Sequence, residues 1–407
     1  MYKNAIVLGG NALNKGVVDN LRSLGFRVLV VDFREKIDLD CDEHIVFDAK
    51  DPDVANFLKE SGHNDISLVY TSMDNAGLAQ KEICKAFGLL HSDNESIICA
   101  CQKDKMHQKW SEANILNRVS FYLEEFDYDK ISSLNKKHKI IIKPSDSCAS
   151  RGITILEKNS QKDAVLDAYN CARLNSTNDR VNIEEFVEGT EYTVEMMGDN
   201  YGNVEVFAIS KKYHTKNVDN NKVAVKLHYN SIDVDDHLKE KIANYAITCY
   251  RSLGLKNTLG HLEVIVKLNG EITPIEIGSR SSGFIASHFT DISAGKSFIG
   301  QFSEVLSGAK VKNGLAKQSD LSSMYFFYDI PQDSVSKNET SIMKFLNPQI
   351  KSLYSDRKNL VKDKKFDKIT QDTDRFGYEI LVGPKNSLTI EKVCKAEQEF
   401  LKDFLYA

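Results

Sequence analysis

A chain of 407 residues, 42% hydrophobic and 27% charged, is long enough for two or three domains around a sizeable core, and this composition excludes a largely disordered protein. Acidic residues outnumber basic ones, 58 to 53, and the net charge of −5 is carried without a long run of either sign, which excludes the basic footprint of a nucleic-acid binder. The opening MYKNAIVLGGNALNKG is apolar only from Ala5 to Leu8, far short of a signal-peptide core or a membrane span, so a cytoplasmic protein with no membrane partner is expected. The eight cysteines are scattered, and Cys99 and Cys101, the close pair, would diverge on a helix. Buried thiols are the expectation, not zinc or disulfides.

Taken in order, Asn4 to Leu8 reads as a strand closed by Gly9-Gly10, followed by helix-spaced Val17, Val18, Leu21 and Leu24 and a strand from Arg27 to Asp32. A second cycle has strands at His44 to Phe47 and Ser67 to Tyr70 and helices at Asp53 to Glu60 and Ala76 to Phe87. Residues 1–95 are therefore expected to form a small doubly wound α/β domain. The turn Gly9-Gly10-Asn11-Ala12-Leu13-Asn14 lacks the G-x-G-x-x-G spacing of a dinucleotide site, and Asp32 at the end of the second strand is read as a solvated turn residue.

A helical stretch and linker from about 96 to 135 precede a strand from Lys139 to Lys143, which runs into Pro144 and a polar loop, Ser145 to Gly152. Strands follow at Ile153 to Glu157, Val181 to Val187, Glu191 to Met197 and Val204 to Lys211, with a helix around Ala164 to Tyr169 and another from His237 to Leu253. Beyond residue 320 come strands near Met324 to Tyr328 and Tyr378 to Val382 and a closing helix.

Asn269-Gly270 between β-prone runs is a strong hairpin signal. Taking these as a two-residue turn, Leu268 faces Glu271, and counting outward sets Glu263 opposite Glu276 and His261 opposite Gly278. Pro274 warns of a bulge that would shift this register. Two carboxylates about 5 Å apart repel by roughly 3 kcal/mol at an effective dielectric of about 20. A proton or an oxygen-seeking cation such as Mg²⁺ relieves that, with Arg280 as a fixed charge alongside. The bland alternative is an exposed hairpin whose acids point to water. Small and hydroxyl residues of the loop Ser145 to Gly152, with Lys143 before it, suit phosphate oxygens, and the stretch Asn182 to Glu191 suits an adenine edge and ribose hydroxyls. Each has an ordinary surface reading by itself.

In their order and spacing these segments resemble the ATP-grasp superfamily over nearly the whole chain. The resemblance implies an N-terminal doubly wound domain followed by a two-lobed ATP-grasp fold with antiparallel sheets. The expected boundaries are a domain over residues 1–95, an ATP-grasp domain over 96–310 with lobes at about 115–190 and 191–310, and a small α+β extension over 311–407. By the same resemblance Lys105, Lys143, Ser147, Ser150, Gly152, Glu184, Glu185, Val187 and Glu191 bind ATP, Glu263 and Glu276 bind Mg²⁺ (Mn²⁺ as an alternative), and Arg280 stabilises the acyl-phosphate and the tetrahedral intermediate. His261, Ser281 and Gly283 are candidates for substrate contact. One departure is Gly278, where the superfamily often has asparagine two residues after the second metal acid.

The His261-x-Glu263 motif, the loop Asp146-Ser-Cys-Ala-Ser-Arg-Gly152 and the tail Asp374-Arg-Phe-Gly-Tyr378 look most like the L-amino acid ligase type of carboxylate–amine ligase. The implied partners are a small-molecule carboxylate and an amine, with a homodimer as the assembly considered. The competing expectations are an ATP-grasp kinase or carboxylase component, and a catalytically silent ATP-binding scaffold.

Overall fold

Four parallel strands, β1 (Lys3–Leu8), β2 (Phe26–Asp32), β3 (Glu43–Val46) and β4 (Ile66–Thr71), lie in the order β3-β2-β1-β4. The computed structural model describes residues 3–147, 151–215, 223–283, 286–369 and 372–406. Helices α1 (Lys15–Ser23), α2 (Val54–Glu60) and α3 (Gly77–Ala86) bury Val17, Val18 and Leu21, Val54 and Leu58, and Ala79 and Ile83 in the core of this sheet, as their spacing predicts. Asp32 is buried, and its carboxylate accepts from Gly10 N at 2.7 Å and from the Arg34 guanidinium at 2.7 and 2.9 Å. It organises the β1 turn, as a turn residue should, but it is not solvated.

Helices α4 (Asn94–Cys101) and α5 (Lys103–Glu112) lead into a four-stranded antiparallel sheet of β5 (Ser120–Leu123), β6 (Ile140–Pro144), β7 (Thr154–Leu156) and β8 (Val181–Glu185), in the order β5-β8-β6-β7. Its outer face is covered by α6 (Tyr128–Asn135) and α7 (Lys162–Leu174), whose Val165, Ala168, Tyr169 and Ala172 form one apolar stripe.

The largest sheet has nine strands: β9 (Thr190–Gly198), β10 (Val204–His214), β11 (Ala224–Tyr229), β12 (Thr258–Val266), β13 (Ile272–Gly278), β14 (Gly314–Leu315), β15 (Leu321–Phe327), β16 (Lys351–Asp356) and β17 (Tyr378–Pro384). The order is β13-β12-β9-β10-β11-β15-β17-β16, with β14 beside β10. Pairing of β11 with β15 makes the strands beyond residue 320 a continuation of the sheet that begins at β9. Helix α8 (Asp236–Ser252), capped by Asp235, packs Ile242, Ala243, Ala246 and Tyr250 on one face of this sheet. Helices α9 (Ala286–Ala294) and α10 (Phe298–Leu306) return to the N-terminal sheet, whose core takes in Phe298, Phe302 and Val305, and α11 (Ile390–Phe404) closes the chain. No helix among the described residues is long and apolar enough to cross a membrane, and the described cysteines are free thiols.

The β12–β13 hairpin departs from its predicted turn. Gly270, at φ +80°, closes a three-residue loop in which Gly270 N donates to Lys267 O at 2.9 Å and Lys267 pairs with Glu271. This shifts the register by one next to the turn, so that Val264 faces Pro274. A bulge at Ile275 then shifts it back, and Glu263 faces Glu276 and His261 faces Gly278.

Candidate functional site

Strand alternation decides what the large sheet shows to the cleft. On β9, Tyr192, Val194 and Met196 pack toward α8, so Glu191, Thr193 and Glu195 point the other way; on β12, Leu262 and Val264 pack toward α8, which turns His261 and Glu263 to the same side as the β9 acids. Glu195 is buried, and Glu191 and Glu263 are half-buried and paired. Lys212 Nζ on β10 sits 3.0 Å from Glu191 and 2.6 Å from Glu263, and His214 Nε2 lies 2.8 Å from the second oxygen of Glu191. Burial opposes the charged forms, but Lys212 holds the Glu191 and Glu263 carboxyls below the usual range, and the two acids raise Lys212 in turn. Burial likewise works against Glu276, and Lys103 Nζ at 3.0 Å outweighs it.

The helix lysine brought to the acids is thus Lys103, not the Lys105 expected from the sequence. Two residues on an α-helix are roughly 200° apart, so Lys103 and Lys105 face opposite ways. Lys103 is buried at the start of α5 and also donates to Ser147 O at 2.8 Å, whereas Lys105 lines a polar surface cavity with Gln102, Glu124, Arg173, Asn178 and Arg180.

Lys143 at the end of β6 is buried and lies 2.8 Å from Glu184 on β8. Arg118 donates to the same carboxylate at 3.0 and 2.8 Å, and His107 Nδ1 approaches it at 3.6 Å. Burial would keep Glu184 neutral, but Lys143 and Arg118 overcome it and hold the carboxyl well below its ordinary value. His107, itself pushed down to about 4 by burial, contributes no charge near neutrality. Glu184 is therefore the centre of a buried ion network. Glu185 is half-buried with His138 at 3.2 Å, and Val187 is half-buried just beyond β8. The loop after β6 is anchored where Ser145 Oγ donates to Asp104 at 2.9 Å and where Asp146 accepts from Thr177 N at 3.1 Å. Gly152 packs against Asn175 and Pro144, and Ser150 lies outside the described residues.

At the far end of β13, Arg280 is mostly buried and donates Nε and Nη2 to the two oxygens of Asp74 at 2.6 and 2.9 Å. Burial disfavours its charge, yet Asp74, Glu276 and Glu195 raise it above its ordinary value. Ser281 Oγ and Tyr70 Oη are 2.5 Å apart, and Ser282 N donates to Glu195 at 3.3 Å, while Gly283 is exposed. His261 Nδ1 lies 2.7 Å from Glu195 Oε1 and its Nε2 is 3.6 Å from Glu263. Lys212 and Glu195 were not among the expected site residues. The one sequence signal for Lys212 is its place in a strand whose end was set at Lys211.

No three His, Cys, Asp or Glu side chains among the described residues converge as a complete metal cage. Two facing, ionised carboxylates are nevertheless the donor set of a hard cation that completes its shell with phosphate oxygens and water, so Glu263 and Glu276 fit Mg²⁺.

Residues 136–288 match the family profile described as ATP-grasp domain. A D-alanine–D-alanine ligase from Buchnera aphidicola subsp. Schizaphis graminum (strain Sg) is 24% identical over 204 residues, 48% of this chain and 62% of that relative, so the match spans less than two thirds of its length. Among solved structures, the L-amino acid ligase from Bacillus licheniformis superposes with a TM-score of 0.71 at 15% identity, covering 99% of this chain and 98% of that one. The biotin carboxylase domain of 2-oxoglutarate carboxylase from Hydrogenobacter thermophilus, in complex with MgADP, ADP and bicarbonate, superposes with a TM-score of 0.70 at 13% identity, covering 100% and 91%. At these identities the structures speak for the fold. Residues 136–288 are thus similar to the ATP-grasp domain, and the chain as a whole shares the fold of these solved structures.

Proposed function

We propose that the protein is an ATP-dependent ligase that activates a small carboxylate as an acyl-phosphate and joins it to an amine, releasing ADP and phosphate. The observation that carries this reading is the cross-strand pair Glu263 and Glu276, flanked by Lys103 on one side and by Arg280 two residues beyond Gly278 on the other. ATP would lie between the small sheet and the β9–β12 face, with Lys103 and Lys143 as point charges for phosphate oxygens. The backbone around Glu185 to Val187 would meet the adenine edge, and Glu191, freed from Lys212 or sharing it, would accept from the ribose hydroxyls. Glu263 and Glu276 would hold Mg²⁺, which when bound screens the triphosphate charge.

In the first step a carboxylate oxygen of the substrate attacks the γ-phosphorus and ADP leaves. In the second the amine nitrogen attacks the acyl carbon, the departing phosphate takes up the proton the nitrogen gives up, and the amide forms. In the second step negative charge grows on the acyl oxygen as the tetrahedral intermediate forms, and a preorganised guanidinium in a buried setting is what stabilises it. His261, Ser281 and Gly283 line the same end and would shape the acid and amine pockets.

Replacing Arg280 with Lys tests the assignment. It keeps one charge but loses the planar fork, so kcat is expected to fall about a hundredfold with little change in the KM for ATP. A raised KM with unchanged kcat would remove Arg280 from the chemistry.

A further inference from the structure

The absent asparagine at 278 has a physical explanation. A Cβ on Gly278 would lie 2.9 Å from Asp74 Oδ1 and 3.0 and 3.2 Å from Arg280 Cγ and Nε. Any side chain there would collide with the Asp74–Arg280 pair. The space beside the second metal acid is therefore filled, but by a carboxylate that arrives from the N-terminal sheet 206 residues away in sequence.

Asp74 is held as firmly as the arginine it grips. It opens the turn Asp74–Ala76 between β4 and α3, and its carbonyl accepts from Cys101 Sγ at 2.9 Å. Three residues on, Gly77 packs so closely on Ile97 and Ser279 that a Cβ would stand 2.9 and 3.1 Å from them. The carboxylate takes the Nε and Nη2 edge of the guanidinium, and Ser281 O takes one Nη1 hydrogen at 2.8 Å. One N–H on Nη1 and one on Nη2 have no partner among the described residues.

We propose that Asp74 is the positioning residue for Arg280, and that Gly278 is glycine because the Asp74 clamp needs the volume a side chain would fill. The proposal rests on the ligase reading of the site. Its consequence is that the N-terminal sheet completes the acid-activating end of the cleft, and that the orientation of Arg280 is lost if either Asp74 or the space at 278 is changed.

The test compares wild type with Asp74→Asn, Asp74→Glu and Gly278→Ala. The measurements are kcat, the KM for the acid, ADP affinity by calorimetry, and modification of Arg280 by phenylglyoxal read by peptide mass spectrometry. Misplacing a transition-state group by about 1 Å costs on the order of a hundredfold in rate, and that loss in kcat is expected for Asp74→Asn and Gly278→Ala, with partial recovery in Asp74→Glu. ADP affinity should hold, and Arg280 should become more reactive toward phenylglyoxal. Near-wild-type kcat in Asp74→Asn, or parallel losses of kcat and ADP affinity, would overturn the proposal by making Asp74 dispensable or merely structural. If the wild type makes no amide from any acid and amine pair, the ligase reading fails separately, and the phenylglyoxal comparison decides alone: unchanged Arg280 reactivity in Asp74→Asn overturns the clamp.

Discussion

Lys212 places its ammonium 2.6 Å from Glu263, so a candidate metal acid is already neutralised by a fixed cation of the protein. The same ammonium serves Glu191 at 3.0 Å, and the ion pair bridges the expected ribose and metal positions. Replacing Lys212 with Met takes the shared cation from two half-buried carboxylates, which destabilises the fold. The expected outcome is a lower melting temperature that Mg²⁺ with ADP restores by a larger increment than in wild type, because a bound cation takes over the lost charge. Equal increments in the two proteins would detach Lys212 from the metal acids.

For the metal acids themselves, Glu276→Gln removes charge without changing volume. Turnover should be abolished while the melting temperature in the absence of ligand stays close to wild type. Near-normal ADP release by this variant would remove Glu276 from the ligand set.

Lys103, Lys143 and Lys105 give a linked prediction. Lys103→Met and Lys143→Met should each weaken ATP binding in calorimetry, more for ATP than for adenosine, since a lysine acts as a point charge on phosphate. Lys105→Met should leave it unchanged. The opposite ranking would restore Lys105 to the phosphate site.

His261 predicts a pH dependence of stability. Burial works against the charged ring, but Glu195 outweighs it and the imidazole is pushed up to about 9 from an ordinary 6.5. A raised pKa in the folded state means the contribution is complete below about pH 6.5 and is lost as pH rises through about 9. The urea midpoint should therefore decline across that window, and His261→Gln should flatten the decline. An unchanged slope in the variant would place the titration elsewhere.

Much of this was legible in the sequence, for reasons that differ by element. The N-terminal strands were visible because each is a short apolar run ended by a turn residue, as in Ala5 to Leu8 before Gly9. The facing of Glu263 and Glu276 came out correctly because two one-residue departures cancel: the loop holds three residues instead of two, and the bulge at Ile275, beside the proline that cannot donate to the ladder, restores the count. The carbonyl of Ile275 accepts from His107 on α5, and that of Pro274 accepts from Arg118, so the bulge is held by tertiary contacts no local pattern carries. Lys103 and Lys105 stand two positions apart with identical chemistry, and the phase of α5 separates them. The partners of Asp74 and Glu184, Arg280 and Arg118, lie 206 and 66 residues away, beyond the reach of any local pattern.

The most direct measurement of the central claim is ADP formation from Mg-ATP across pairs of amino acids and other small acids and amines, with the product identified by mass spectrometry. The account predicts a pair for which ADP release needs both components and an amide appears in equal amount. ADP release that needs only the acid, that needs bicarbonate in place of the amine, or that proceeds without an amide product would contradict it.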